Sequence, residues 1–228
     1  VEGQLALSFI SIVDYSFLPD LLRRFTSRFP AVRVSLREST TDVQLADLRA
    51  GRIDAGILLG PPAAEAPEPA PRGTPSLAYR RLIEETLVLA LPARHRLAGA
   101  SAAMPLAAFE GEPFISIPRH AAPRLYDAMI GECGGAGFSP RIVQEAIQMQ
   151  TIISLVSAGM GVALVPESIM SLKRTGIAYR RLRGARPVLE VGIAWRRDNS
   201  SAVLGHFTAL ASQSAPVPPA PRSPRRAG

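Results

Sequence analysis

Residues 3–59 read GQLALSFISIVDYSFLPDLLRRFTSRFPAVRVSLRESTTDVQLADLRAGRIDAGILL, and along this stretch the hydrophobic period switches from two to about 3.6 and back. From Gln4 to Ile12, Leu5, Leu7 and Phe9 alternate with Gln4, Ala6 and Ser8 before the run turns fully apolar, as a strand entering a core does. Leu18, Leu21, Leu22, Phe25 and Phe29 then recur at helical spacing, with Pro19 suited to a first helical turn and Pro30 closing the segment. Val32, Val34 and Leu36 alternate with Arg33, Ser35 and Arg37 as a second strand. Thr41 opens a short helix that Gly51 closes, and Ile53 to Leu59 is a third strand. Strand, helix, strand, helix, strand is the grammar of a parallel sheet with crossover helices, so the fold class is α/β.

Outward from this unit the same grammar resumes. Gly60 to Ser76 is loaded with Pro, Ala and Gly and reads as a surface loop. Thr86 to Leu91 is a continuous apolar run stopped by Pro92, the pattern of a strand covered on both faces. Phe114 to Ile117 is the next strand, Arg124 to Cys133 a helix with Leu125 and Met129 inward, and Gly134, Gly135 and Gly137 its exit. Ile142 and Val143 follow. Ile147 to Ala158 places Met149, Ile152, Ile153 and Val156 on one helical face, Gly159 to Gly161 reads as a helix C-cap, and Val162 to Val165 is a strand. Tyr179 to Leu182 and Val188 to Trp195 read as strands, and Ala202 to Ala211 as a final helix. The Pro, Ala, Ser and Arg run after Gln213 is expected to be a disordered tail.

Composition narrows the function classes. The 228 residues are 47% hydrophobic and 20% charged, which fits a globular protein with room for two modest lobes. No run approaches the roughly 18 to 20 apolar residues of a membrane helix, and no basic segment leads into an apolar signal core. A cytoplasmic protein with no membrane partner is expected. The net charge of +7 invites a nucleic-acid reading, but the excess is dispersed as Arg23/Arg24, Arg80/Arg81, Arg180/Arg181 and Arg196/Arg197, with Arg222, Arg225 and Arg226 in the terminal segment. Cys133, the single cysteine, stands in a helical stretch without clustered ligand residues and reads as a small buried hydrophobe. No nucleophile elbow, metal-ligand spacing or Gly-rich phosphate loop appears, so no enzyme, metal or cofactor is expected. The chain starts Val-Glu-Gly directly before a strand, the expected look of a fragment.

Six segments in order, GQLALSFIS, FLPDLLRRFTSRFP, VRVSLREST, LRAGRIDAGILL, LVLALPARHRLA and ISLVSAGMGVALVPES, make residues 3 to 212 resemble the effector-binding domain of LysR-type transcriptional regulators. The EST-T-DVQ and GRIDAGI stretches resemble the aromatic and chloroaromatic catabolism branch. The resemblance implies two Rossmann-like lobes joined by two crossing strands, in the manner of type 2 periplasmic binding proteins, with the effector in the interlobe cleft. Lobe I would hold residues 1–83 and 193–212, and lobe II residues 84–192. It also implies a homodimer pairing through the helix from Leu18 to Arg28 and a lobe II helix. A full-length homotetramer would carry the contacts to DNA and RNA polymerase. A periplasmic-type solute-binding protein is the alternative that the same fold would serve.

In open parallel sheets ligands settle beyond the carboxyl ends of the strands, where helix N-termini offer unpaired N–H groups and partial positive charge. Three loops qualify: Ser11 to Ser16, Ser39 to Asp42 and Pro118 to Arg124. Thr41 and Gln44 have the spacing of a capping box, and the resemblance adds effector contact from Thr41; Thr40 beside it is a further candidate. The resemblance also brings Ser11, Ile12, Leu59 and Met149 to the cleft. Ile12 stands where muconate sensors have a serine and Leu59 where they have an arginine, so the pocket is expected to be more apolar than theirs. Arg119, His120 and Arg124, flanking Pro123, offer cations to an anion. The expected guest is a small carboxylate, aromatic or unsaturated.

Overall fold

The computed structural model describes residues 1–62, 75–184 and 187–214. Most of the Gly60–Ser76 loop, the arginines at 222, 225 and 226, and all but the start of the expected tail lie outside the described residues.

Strands β1 (Gly3–Phe9), β2 (Val32–Glu38) and β3 (Ala55–Leu59) form the parallel unit the opening sequence predicts, with β1 in the middle. Helices α1 (Leu18–Arg28) and α2 (Thr41–Arg49) supply the crossovers. β1 stops at Phe9 rather than running to Ile12. The Ile10 N–H turns to the Ile57 carbonyl, and Ser11–Tyr15 winds into a 3₁₀ helix. Phe25 of α1 meets Phe207 of α5 (Ala202–Ser214) edge to face at 5.1 Å, locking the first helix to the last. Helix α5 runs three residues past Ala211. Arg80 Nη1 donates to Ser212 Oγ at 2.7 Å, and Ser212 donates back to Thr208 at 2.8 Å, which holds that last turn.

Strand β4 spans Leu77–Pro92, far longer than its apolar core from Thr86 to Leu91 suggests. Its first half reads as polar because Arg80, Arg81 and Glu84 are exposed, yet it pairs antiparallel with β9 (Pro187–Arg196) through two register shifts. Its second half pairs with β7 (Ala163–Pro166) and β8 (Ile177–Arg181). β4 and β9 are therefore the two strands that tie the halves together.

The second half repeats the first. β5 (Pro113–Ser116) and β6 (Arg141–Glu145) are parallel, and a parallel bridge from Phe114 to Val162 brings β7 alongside β5. Helices α3 (Pro123–Gly135) and α4 (Met149–Ser157) are its crossovers. The predicted C-cap of α4 is a Schellman motif: Gly159 has φ +84°, Met160 N–H bonds the Leu155 carbonyl at 3.1 Å and Gly159 N–H bonds that of Val156 at 2.9 Å. Cys133 is buried in α3. Burial first, and Glu132 second, push its thiol up to about 12, which suits the inert hydrophobe.

Candidate functional site

Because β1, β2 and β3 are parallel, their carboxyl ends lie on one edge, and those of β5 and β6 do the same in the other half. A cavity of about 280 Å³ lies between the two edges. From the first half come Ile10, Ser11 and Ile12 after β1, Arg37 to Thr41 and Val43 around the β2–α2 turn, and Leu59 at the end of β3. From the second come Ile117, Ala121, Ala122 and Leu125 between β5 and α3, and Ile147 to Met149 at the start of α4.

A frame of buried polar groups sets the first wall. Ser8 Oγ donates to the Arg37 carbonyl at 3.0 Å and pairs with Ser39 Oγ at 3.1 Å, while Ser39 N–H bonds the Phe9 carbonyl at 3.0 Å. Gln44, with no exposed surface, donates from Nε2 to the carbonyls of Ser39 (3.0 Å) and Ile57 (3.1 Å). One amide thus joins the loop before α2 to β3.

The capping box expected of Thr41 and Gln44 does not form. The N-cap is Thr40 (φ −69°, ψ 159°), which makes Thr41 the first helical residue and puts Gln44 one position too late for the box. Neither Thr40, nor Ala122 before α3, nor Gln148 before α4 makes a side-chain capping hydrogen bond. Three helix N-termini, one from the first half and two from the second, therefore face a single cavity without a side-chain cap.

Of the sequence-derived candidates, Ser11, Ile12, Thr40, Thr41, Leu59 and Met149 are brought together in the wall, and Gln44 stands behind it. The basic loop is not part of the wall. Arg119 grips Asp127 with two bonds of 2.8 and 3.0 Å, each raising the other's hold on its charge, and His120 is exposed. Pro123 opens α3 outside the wall. Arg124 reaches from α3 to the Pro61 carbonyl at 3.3 Å and packs over Gly60, so it links the halves instead of entering the cavity. These pairings join residues eight and 63 positions apart, which local pattern does not reveal.

Reading for charge missed the apolar lining of that loop, Ile117, Ala121, Ala122 and Leu125, and also Ile10, Val43, Ile147 and Gln148. It also missed Arg37 and Glu38, while Ser39 lies in a loop that the sequence had singled out. The available signal was position: each closes a parallel strand, follows its carboxyl end or lies in the first turn of the helix after it. Arg37 turns its guanidinium to buried Asp47 at 3.0 Å, a carboxylate that also takes Arg52. Tyr15 ends the 3₁₀ helix whose first residues, Ser11 and Ile12, line the cavity. Burial chiefly raises its pKa, a hydrogen bond with Gln150 of α4 opposes the rise, and the charges of Asp14 and Glu38 add to it.

The LysR substrate binding domain family matches residues 1–216. The HTH-type transcriptional regulator IlvR of Caulobacter vibrioides is 44% identical over 216 residues, covering 95% of this chain and 69% of that protein. AlsR of Bacillus subtilis, also an HTH-type transcriptional regulator, is 35% identical over 211 residues, covering 90% and 65%. The chain thus spans about two thirds of the length of these relatives. Among solved structures, the BenM effector binding domain with its effector benzoate superposes with a TM-score of 0.77 at 24% identity, covering 93% of this chain and 92% of that one. The α/β fold expected from the sequence is the fold this structure shares.

Proposed function

The chain belongs to the LysR substrate-binding domain family as the effector-binding domain of a LysR-type transcriptional regulator, and from that premise we propose that its effector is a small carboxylate held in the cavity between the halves. The observation that carries the ligand class is the meeting of three helix N-termini without side-chain caps on one cavity that also has an apolar wall. Oriented N–H groups and the positive ends of helix dipoles suit an anion, and the apolar wall suits a hydrocarbon body. The carboxylate lies near Thr40, Thr41 and Ser11, and its body lies against Ile12, Leu59 and Met149. Benzoate, the effector of BenM, is an acid of this kind. It supports retaining an aromatic or unsaturated acid among the ligands to test.

The lobes are residues 1–83 with 193–212 and residues 84–192, hinged where β4 and β9 pass between them. Effector binding shifts lobe geometry, and the shift is read by a homodimer formed through α1 and a lobe II helix. In the full-length cytoplasmic regulator, a homotetramer, the shift repositions DNA-binding segments and their contacts with RNA polymerase. The dispersed arginines favour no operator recognition by this domain alone.

The test is a thermal-shift panel of mono- and dicarboxylates, amines and neutral sugars, followed by calorimetry. Carboxylates are expected to raise the melting temperature in a saturable way. A panel in which only neutral or cationic compounds stabilise the protein would overturn the reading.

A further inference from the structure

We infer that Glu38 is a specificity-determining residue of this cavity, selecting a carboxylate that also carries a hydrogen-bond-donating group, hydroxyl or ammonium, over a plain acid or a dicarboxylate. This rests on the carboxylate reading above and narrows it.

Glu38 and Arg37 are the formally charged residues of the cavity wall, and strand alternation sends their side chains to opposite faces of β2. Arg37 goes to the α2 side, where Asp47 holds it. Glu38 shares its face with Val32 and Val34, toward the 3₁₀ helix, and its charge is felt at the Tyr15 hydroxyl. Among the described residues Glu38 forms no ion pair, so its acceptor capacity is uncommitted. The rest of the cavity lining includes apolar Ile117 and Leu125 from the other half, and among the described residues its one cationic side chain is Arg37, which Asp47 holds.

Two ends of one short connection thus have opposite preferences. At Thr41 the helix N-terminus favours negative charge. Three residues earlier, Glu38 repels negative charge and accepts from donors. A ligand satisfying both places its donor close to its carboxylate, as 2-hydroxy and 2-amino acids do. A dicarboxylate must bring its second charge against the Glu38 carboxylate or leave it against apolar wall, and both cost affinity.

The experiment titrates the chain with two matched series by calorimetry. One is pentanoate, 2-hydroxypentanoate, 2-aminopentanoate and pentanedioate. The other is 3-phenylpropanoate, 3-phenyllactate, phenylalanine and phenylsuccinate. In the series that fits the cavity, the hydroxy or amino acid is expected to bind at least about tenfold more tightly than the plain acid. Glu38→Gln is expected to remove most of that preference, to change the plain acid less than about threefold and to improve the dicarboxylate, while Glu38→Asp retains the preference. If plain acids bind but the preference is absent, or survives Glu38→Gln, or the dicarboxylate is the tightest ligand of the wild-type chain, the role of Glu38 is wrong and the carboxylate reading stands. If no member of either series binds the wild-type chain, the carboxylate reading fails and this inference falls with it.

Discussion

Gln44 and Gly56 fit together: a Cβ built on Gly56 would stand 2.7 Å from Gln44 Oε1, so the side chain that ties the pre-α2 loop to β3 requires a glycine beneath it. Gln44 is consequently structural. Gln44→Leu leaves two carbonyls without this donor and is expected to destabilise the fold by about 1 to 3 kcal/mol in urea titration. Gly56→Ala should cost a similar amount, about 1 to 3 kcal/mol. That cost should shrink in a Gln44→Ala background, where the colliding oxygen is gone. Additive costs would mean that the two residues do not act on each other.

Arg124 and Gly60 offer a similar test across the lobes. Gly60 has φ +65°, and a Cβ there would collide with the Arg124 guanidinium. Gly60→Ala therefore meets two penalties, backbone strain of about 1 kcal/mol or more and the steric clash. Arg124→Ala should relieve the clash alone, giving a positive coupling in a double-mutant cycle. It should also speed hydrogen exchange around Gly60 by loosening the link to Pro61. Unchanged exchange would show that Arg124 does not restrain the lobes.

Thr41→Val tests the anion end of the site. It should weaken any bound carboxylate by about 1 to 3 kcal/mol, the value of a hydrogen bond to a charged group. Stability should change little, because Thr40 and not Thr41 occupies the N-cap position. Calorimetry that finds every carboxylate unaffected would move the anion away from α2.

Glu85, buried in the middle of β4, gives the fold a pH dependence. Burial raises its pKa, outweighing the Ser168 N–H that donates to its carboxylate at 3.2 Å. The folded state therefore holds the Glu85 proton more tightly than the unfolded chain does. The stability this confers is present below the ordinary glutamate pKa and is lost as pH rises through the raised folded value. Glu85→Gln should be more stable than the wild-type chain at about pH 8, with the advantage shrinking toward about pH 4. Denaturant midpoints that keep a constant difference across this range would argue against desolvation as the cause.

The elements were legible in the sequence wherever one face decides burial. α1 shows Leu18, Leu21 and Phe25 at helical spacing, and the structure buries all three. β4 was half hidden, since Arg80, Arg81 and Glu84 break the apolar pattern while their backbone still pairs with β9. In the cavity wall, Thr41 was legible from topology, because carboxyl ends of parallel strands collect in one place whatever their side chains, whereas Leu59 and Met149 came from the family resemblance. Charge was the misleading cue. Arg119 and Arg124 are long enough to leave the loop that bears them, and Asp127 and Pro61 draw them off. What that loop does place in the cavity wall, Ala121 and Ala122, is marked by position alone and not by side-chain chemistry.

The unmet helix starts have a consequence for what a ligand does here. α2 belongs to one half of the molecule, α3 and α4 to the other, and none receives a cap from the side chain that precedes it. On the proposed reading, an anion lodged between them would become a shared N-cap for helices that receive no side-chain cap in either half. Holding the halves at the spacing that satisfies these ends would then be the same event as binding. The signal would be secondary structure completed from outside.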